Sequence, residues 1–302
     1  MKSLDRRSFF RTSAALGLAA AGNSLPRVAR AIEPIARLKQ PKFEFSLAAY
    51  SYRGLLAGKT VQLTLEDFIR DCARMGLDAT ELTSYYFAPD VSPAQLRAIK
   101  RLAFCEGLDI SGTAIRNEFS LPPGKQRDEQ IAHVKHWIDN AAVLGAPVIR
   151  IYSGKVQKGQ TEADARKLAI EGIEECCQYA GEHGVYLALE NHGGLTTTID
   201  GILQLVEAVK SPWFAVNLDT GNFHSSNPYD DIARLAPYAV NVQVKVMMHP
   251  EGGGKEPADF SRLAKILKEA GYRGYIVLEY EEAEDPRVAC PRFVEQLRAA
   301  FA

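Results

Sequence analysis

A chain of 302 residues, 46% hydrophobic and 24% charged, is long enough to bury a sizeable core, and 36 Lys and Arg against 37 Asp and Glu leave no basic footprint for a nucleic acid. Past the N-terminal segment no apolar run is long enough to span a membrane, so no stable membrane anchor is expected. Its five cysteines (72, 105, 176, 177 and 290) are odd in number and lack Cys-x-x-Cys spacing, so they read as buried small residues and not as a disulfide framework or a zinc site.

The N-terminus reads Asp5-Arg6-Arg7-Ser8-Phe9-Phe10-Arg11, then a small-residue apolar run from Thr12 to Ala21, then Ala29-Arg30-Ala31. Paired arginines, a modest apolar stretch and a small-residue cleavage site predict a twin-arginine export signal over 1–31. A mature chain is then expected to begin at Ile32, in the periplasm or secreted. Residues 1–31 carry Lys2 and five arginines against Asp5 alone, so their removal leaves a more acidic protein than the formal −1 of the whole chain. Residues 32–42 read as a linker into a single domain over 43–302.

From Phe43 the pattern alternates strand and helix. Strands are predicted over 43–50, 78–83, 109–115, 146–152, 185–190, 213–218, 240–246 and 275–280. Helices are predicted to start at Thr64 with Asp67 three residues on, at Ser92 with Pro93 and Gln95, and at Thr161 with Asp164, each a capping-box pattern. Gly76, Gly107, Gly145, Gly184 and Gly271 are placed to end helices as left-handed caps. Eight strands alternating with helices over roughly 250 residues predict an α/β fold, a (β/α)₈ barrel. No Gly-x-Gly-x-x-Gly follows the first strand and no P-loop pattern is present, which removes the main support for dinucleotide or P-loop binding.

The strand ends carry the chemistry. In Val185-Tyr-Leu-Ala-Leu-Glu-Asn-His192 one face is Val185, Leu187 and Leu189, while the other ends in Glu190 and His192. Asp219 closes the next strand. In Val240-Asn-Val-Gln-Val-Lys-Val246, Asn241, Gln243 and Lys245 share the face opposite the valines, and Glu279 stands near the end of the last strand. A buried carboxylate must be paired, protonated or metal-bound. If these strands are parallel neighbours, Glu190, Asp219, Gln243 and Glu279 converge at the C-terminal mouth, where a barrel places its chemistry, as a divalent cation requires. Other mouth candidates are Glu81, Arg150, the run Arg116-Asn117-Glu118, and the polar sixth and seventh loops, which include Asn222 and His224; of these Glu81, Arg150, Asn222 and His224 are expected to contact substrate. Each residue taken singly has a plainer reading: Asp219 as a cap, Glu190 as the ion-pair partner of Arg150, Gln243 as a satisfied core amide, His192 as a hydrogen-bonded rim histidine, Lys245 snorkelling to the mouth, Glu281 and Glu282 solvated. The coincidence of three carboxylates and an amide on four strand tips favours the joint reading.

The runs Leu189-Glu-Asn-His-Gly-Gly194, Asn217-Leu-Asp-Thr-Gly-Asn222, Gln243-Val-Lys245 and Leu278-Glu-Tyr-Glu281 together resemble the xylose-isomerase-like TIM-barrel superfamily of sugar isomerases and epimerases, over nearly all of 43–302. The resemblance implies a divalent metal, commonly Mn²⁺, Mg²⁺ or Zn²⁺, on the positions Glu190, Asp219 and Glu279. Two positions depart from the pattern: Gln243 stands where the family usually has His, and Asn222 replaces a frequent His, with His224 nearby. An amide oxygen in place of imidazole makes the site harder and favours Mn²⁺ or Mg²⁺ over Zn²⁺. The resemblance further implies that Glu190 and Glu279 serve as acid and base around an enediolate on a sugar or glycoside, with His192 and Lys245 assisting. Three alternatives stand beside it: a lyase or hydratase on keto-sugars or 3-keto-glycosides, a sugar-binding protein without turnover, and an abasic-site endonuclease, for which the histidines are too few and the charge too acidic. Oligomeric state and the identity of the sugar are left open.

Overall fold

The structure, a computed structural model, describes residues 32–38, 40–58 and 60–302. The predicted export signal at 1–31 lies outside them. Eight parallel strands close a barrel: β1 (Lys42–Ala48), β2 (Ala79–Thr83), β3 (Asp109–Ala114), β4 (Val148–Ile151), β5 (Tyr186–Glu190), β6 (Phe214–Asp219), β7 (Ala239–Lys245) and β8 (Arg273–Glu279), each paired with its sequence neighbours and β8 closing on β1. A helix of eight residues or more follows every strand. All eight predicted strands form, with ends shifted by at most two residues.

Local chemistry sets these boundaries. Thr64, Ser92 and Thr161 each accept a hydrogen bond from the backbone three residues on, and Asp67, Gln95 and Asp164 each reach back to the cap backbone, closing three reciprocal capping boxes. The long helices Lys125–Leu144 and Glu162–His183 stop at Gly145 and Gly184, which take φ of 79° and 67°. Only glycine adopts that left-handed turn without a Cβ clash, and each releases the chain into the next strand within three residues.

Strand residues are buried on both faces, because one face lines the barrel and the other lies under helices. On β5, Leu187 and Leu189 pack outward while Ala188 and Glu190 turn inward. The segment before β1 lies along the barrel: Ile35 N donates to Pro237 O at 3.0 Å, and the Arg37 guanidinium covers the Tyr272 ring at 5.3 Å. Cys72, Cys176, Cys177 and Cys290 are buried as expected, Cys105 is exposed, and all five are free. No helix among the described residues is long and apolar enough to cross a membrane.

Candidate active site

Strand register gathers the tip residues. Glu279 is the lateral partner of Lys245, Asp219 of Gln243, and Glu190 of Asn217. All six are buried, and each Glu or Asp needs a counter-charge or a proton. Arg150 supplies one: its Nε lies 2.8 Å from Glu190 Oε2, while the rest of its guanidinium donates to Ile115 O at 2.6 Å and to the Tyr85 hydroxyl at 3.3 Å. Lys245 supplies the other. Its ammonium contacts Glu279 Oε2 and lies 3.3 Å from Asp219 Oδ2 and 3.1 Å from Glu281 Oε2. Gly221 makes room for this lysine, since a Cβ there would stand 2.5 Å from Lys245 Cγ.

Asp219 is fixed by its neighbours: Oδ1 accepts from Gly221 N at 2.8 Å, and its backbone is clamped to both ends of the Asn191 amide. Its other oxygen, Oδ2, is buried without a hydrogen bond. Burial pushes the Glu190 carboxyl up to about 7 against the pull of Arg150, and it pushes Asp219 well above the usual range. Burial also acts against the charge of Glu279, but the Lys245 ammonium beside it outweighs that and holds it below the usual range.

Beneath these tips lies a second polar layer. Asn217 Nδ2 donates to Gln243 Oε1 at 2.7 Å, and Gln243 Nε2 donates to Glu81 Oε1 at 2.7 Å. Asn241 Nδ2 donates to Glu81 Oε2 at 2.9 Å and to Asn217 Oδ1 at 2.8 Å. The four side chains close a ring. Two residues of the expected site belong to this ring: Gln243, expected as a metal ligand, has its amide oxygen on Asn217, and Glu81, expected to contact substrate, is 1% exposed and accepts from two protein amides.

Two contiguous lobes open above the tips, sharing Lys245, Glu279 and Glu281. A lobe of about 200 Å³ is lined by Tyr50, Tyr85, Arg116, Arg150, Tyr152, Glu190 and His192. Its wall is aromatic: Tyr50 meets Tyr85 edge-on at 6.4 Å, and His192 lies 4.6 Å from Tyr152. The other lobe, about 180 Å³, is lined by Asn222, His224, Val246, Met247, His249 and Glu282. His224 stacks on His249 at 5.3 Å, and Asn222 donates to Glu190 Oε1 at 2.9 Å. Each lobe alone falls below the roughly 300–1,000 Å³ of ordinary ligand pockets, and the pair reaches that range. The structure thus brings Glu190, Glu279, His192, Lys245, Arg150, Asn222 and His224 to one mouth, with Asp219 in its floor.

Residue reading missed Glu281, taken as solvated, although it stands two positions beyond Glu279 and so shares its side in an extended chain. It also missed Tyr50, Tyr85 and Tyr152. Their signal was available: each follows a strand end by one or two residues.

The donor set suits a hard divalent cation in charge and chemistry. Glu81, Glu190, Asp219 and Glu279 are four buried carboxyls facing only two buried cations, and Asp219 Oδ2 accepts no hydrogen bond and has only the shared Lys245 ammonium at 3.3 Å. Among the described residues no three His, Cys, Asp or Glu side chains stand gathered as a ligand cage, because Arg150 holds Glu190 and Lys245 holds Glu279. The fit therefore rests on Glu190, Asp219 and Glu279, without Gln243.

Comparison with known proteins agrees with this architecture. A family model described as a xylose isomerase-like TIM barrel matches residues 69–297. A 3-dehydroshikimate dehydratase of Bacillus anthracis is 24% identical over 67% of this chain and 71% of its own length. An L-ribulose-5-phosphate 3-epimerase of Escherichia coli is 24% identical over 70% of this chain and 80% of its own. Among solved structures, a D-psicose 3-epimerase from Clostridium cellulolyticum H10, crystallised with D-tagatose, superposes with a TM-score of 0.72 at 15% identity, covering 85% of this chain and 99% of that one. The last likeness bears on fold alone.

Proposed function

The chain belongs to the xylose isomerase-like TIM barrel family, and from that membership we propose a sugar isomerase or epimerase that moves a proton on and off a carbon next to a carbonyl. The observation that carries this reading is that Glu190 and Glu279, from strands three apart around the barrel, line one cavity, each held by its own cation, Arg150 and Lys245. Proton transfer needs two such groups at fixed positions. Lys245 keeps Glu279 in the carboxylate form that accepts a proton, and Glu190, held by Arg150 and Asn222, returns it. Return to the other face of the same carbon epimerises; return to the neighbouring carbon isomerises. His192, exposed at the rim against Tyr152, lines the same cavity and assists, and Lys245 stands where it can steady a developing oxyanion.

A divalent cation, Mn²⁺ ahead of Mg²⁺ or Zn²⁺, is part of the proposal, held by Glu190, Asp219 and Glu279. Bound there, it would supply carbonyl polarisation and acidify the adjacent C–H. A dehydratase is the second reading, favoured by the B. anthracis relative's name and by Lys245, which lines both lobes and could protonate a departing hydroxyl. Export by the twin-arginine route is proposed with it; N-terminal sequencing of protein recovered from the periplasm should begin at Ile32, and an intact Met1 would exclude it.

The test is deuterium incorporation from D₂O, read by mass spectrometry on free aldoses and ketoses, then on 3-keto-glycosides and on uronates. Mass gain at a carbon next to the carbonyl, falling about 10²–10⁴-fold in Glu190→Gln and Glu279→Gln with unchanged circular dichroism, supports the reading. An unsaturated product moves the conclusion to the dehydratase. No incorporation with any sugar sinks both. Metal content is measured on the same preparations, and a value unchanged in Asp219→Asn rejects the ligand assignment.

A further inference from the structure

Among the described residues that line the two lobes, every Lys and Arg but one is spoken for, and so are Lys255 and Arg53 beside them. Arg150 is held by Glu190 and Ile115 O, Lys245 by three carboxylates, Lys255 by Glu282, and Arg53 by the carbonyls of Tyr280 and Glu281 at 3.0 and 2.8 Å. Arg116, exposed on the loop after β3, lines the aromatic lobe and, among the described residues, forms no ion pair. Its guanidinium lies 5.0 Å over the Tyr85 ring. A guanidinium over a ring face is held there by the ring's quadrupole while its N–H donors stay available to a planar, bidentate partner.

The setting says what that partner is. The rest of the lobe presents the carboxylates of Glu190, Glu279 and Glu281, which repel an anion, so a neutral sugar has no use for a preorganised guanidinium and an anionic one depends on it. The strand order puts β3 across the barrel from β7, so Arg116 faces Lys245 over the cavity. A molecule reaching from one to the other sets its charged end on Arg116 and its reacting carbon beside Glu279 and Glu190. A carboxylate matches one guanidinium in shape and charge; a phosphate dianion calls for more donors than this wall offers.

We propose that the substrate is a sugar acid, a uronate or related sugar carboxylate, whose carboxylate is read by Arg116. The proposal rests on the proton-transfer reading for the position of the reacting carbon. It is tested by titration calorimetry of the wild-type protein and of Arg116→Ala and Arg116→Lys with D-galacturonate and D-glucuronate, their parent hexoses, and the hexose 6-phosphates. The wild type should bind at least one acid about tenfold or more above its parent hexose, with the preference lost in Arg116→Ala, partly kept in Arg116→Lys, and weakened by salt. Equal binding of acid and parent, a preference for the phosphate, a preference that survives in Arg116→Ala, or no binding of either acid overturns it. Wild-type deuterium exchange on neutral sugars alone overturns the substrate class and spares the reaction. Arg116-dependent uronate binding with no exchange on any sugar does the opposite.

Discussion

The barrel holds two polar layers, one on the other, that are equally buried and chemically opposite. The tip layer is charged: Glu190, Asp219 and Glu279 lean on Arg150 and Lys245, and Asp219 Oδ2 is left without a hydrogen bond. The ring below is closed, with Glu81 accepting from Asn241 and Gln243 and both of these bonded to Asn217; its one unpartnered atom, Asn241 Oδ1, is buried away from both lobes. Burial is therefore a poor marker of function in this fold. Spare bonding capacity facing a cavity is the better one, because an unsatisfied group retains the capacity to bind something else.

Lys245→Met strikes the tip layer hardest. It leaves Asp219 and Glu279 without their shared cation, and urea denaturation of the metal-free protein should show a loss of about 3–5 kcal/mol. Added Mn²⁺ should restore part of it. No loss would mean that the carboxyls stand neutral, and the contrast between layers would fail.

Asn217→Leu opens the ring instead, orphaning Gln243 Oε1 and one Asn241 donor contact. About 1–3 kcal/mol should be lost for each group left unpaired, and here Mn²⁺ should recover none of it. Recovery by the ion would place Gln243 back among the ligands.

A third effect concerns pH. Burial raises Glu81 from 4.5 to about 7, so between those values the native protein holds a proton that the unfolded chain has released. Stability then falls as pH rises through that window. Glu81→Gln should flatten the slope in thermal melts from pH 4.5 to 7, leaving the part due to Glu190 and Asp219. An unchanged slope would show that the ring holds Glu81 ionised.

Much of this was legible along the chain because it depends on near neighbours. Capping boxes at Thr64, Ser92 and Thr161 span three residues, glycine caps depend on one φ, and alternation along β5 and β7 says which side chains turn inward. These local rules determine eight strand–helix units, and a parallel sheet of eight such units has few ways to cover both faces other than closing. They also determined that Glu190, Asp219 and Glu279 end their strands on the inner face. What they left open is depth and partnership. Whether an inward amide reaches the mouth or closes a ring below it is decided by the register between β6 and β7, which slips between Val216 and Asn217, pairs Asn217 with Asn241 and Asp219 with Gln243, and so brings the Gln243 amide diagonally onto Asn217. Glu281, Tyr50 and Tyr85 likewise became site residues only once loops separated by up to 231 positions in sequence met over one cavity. Side-chain alternation is a property of a strand; satisfaction of a buried polar group is a property of everything packed around it.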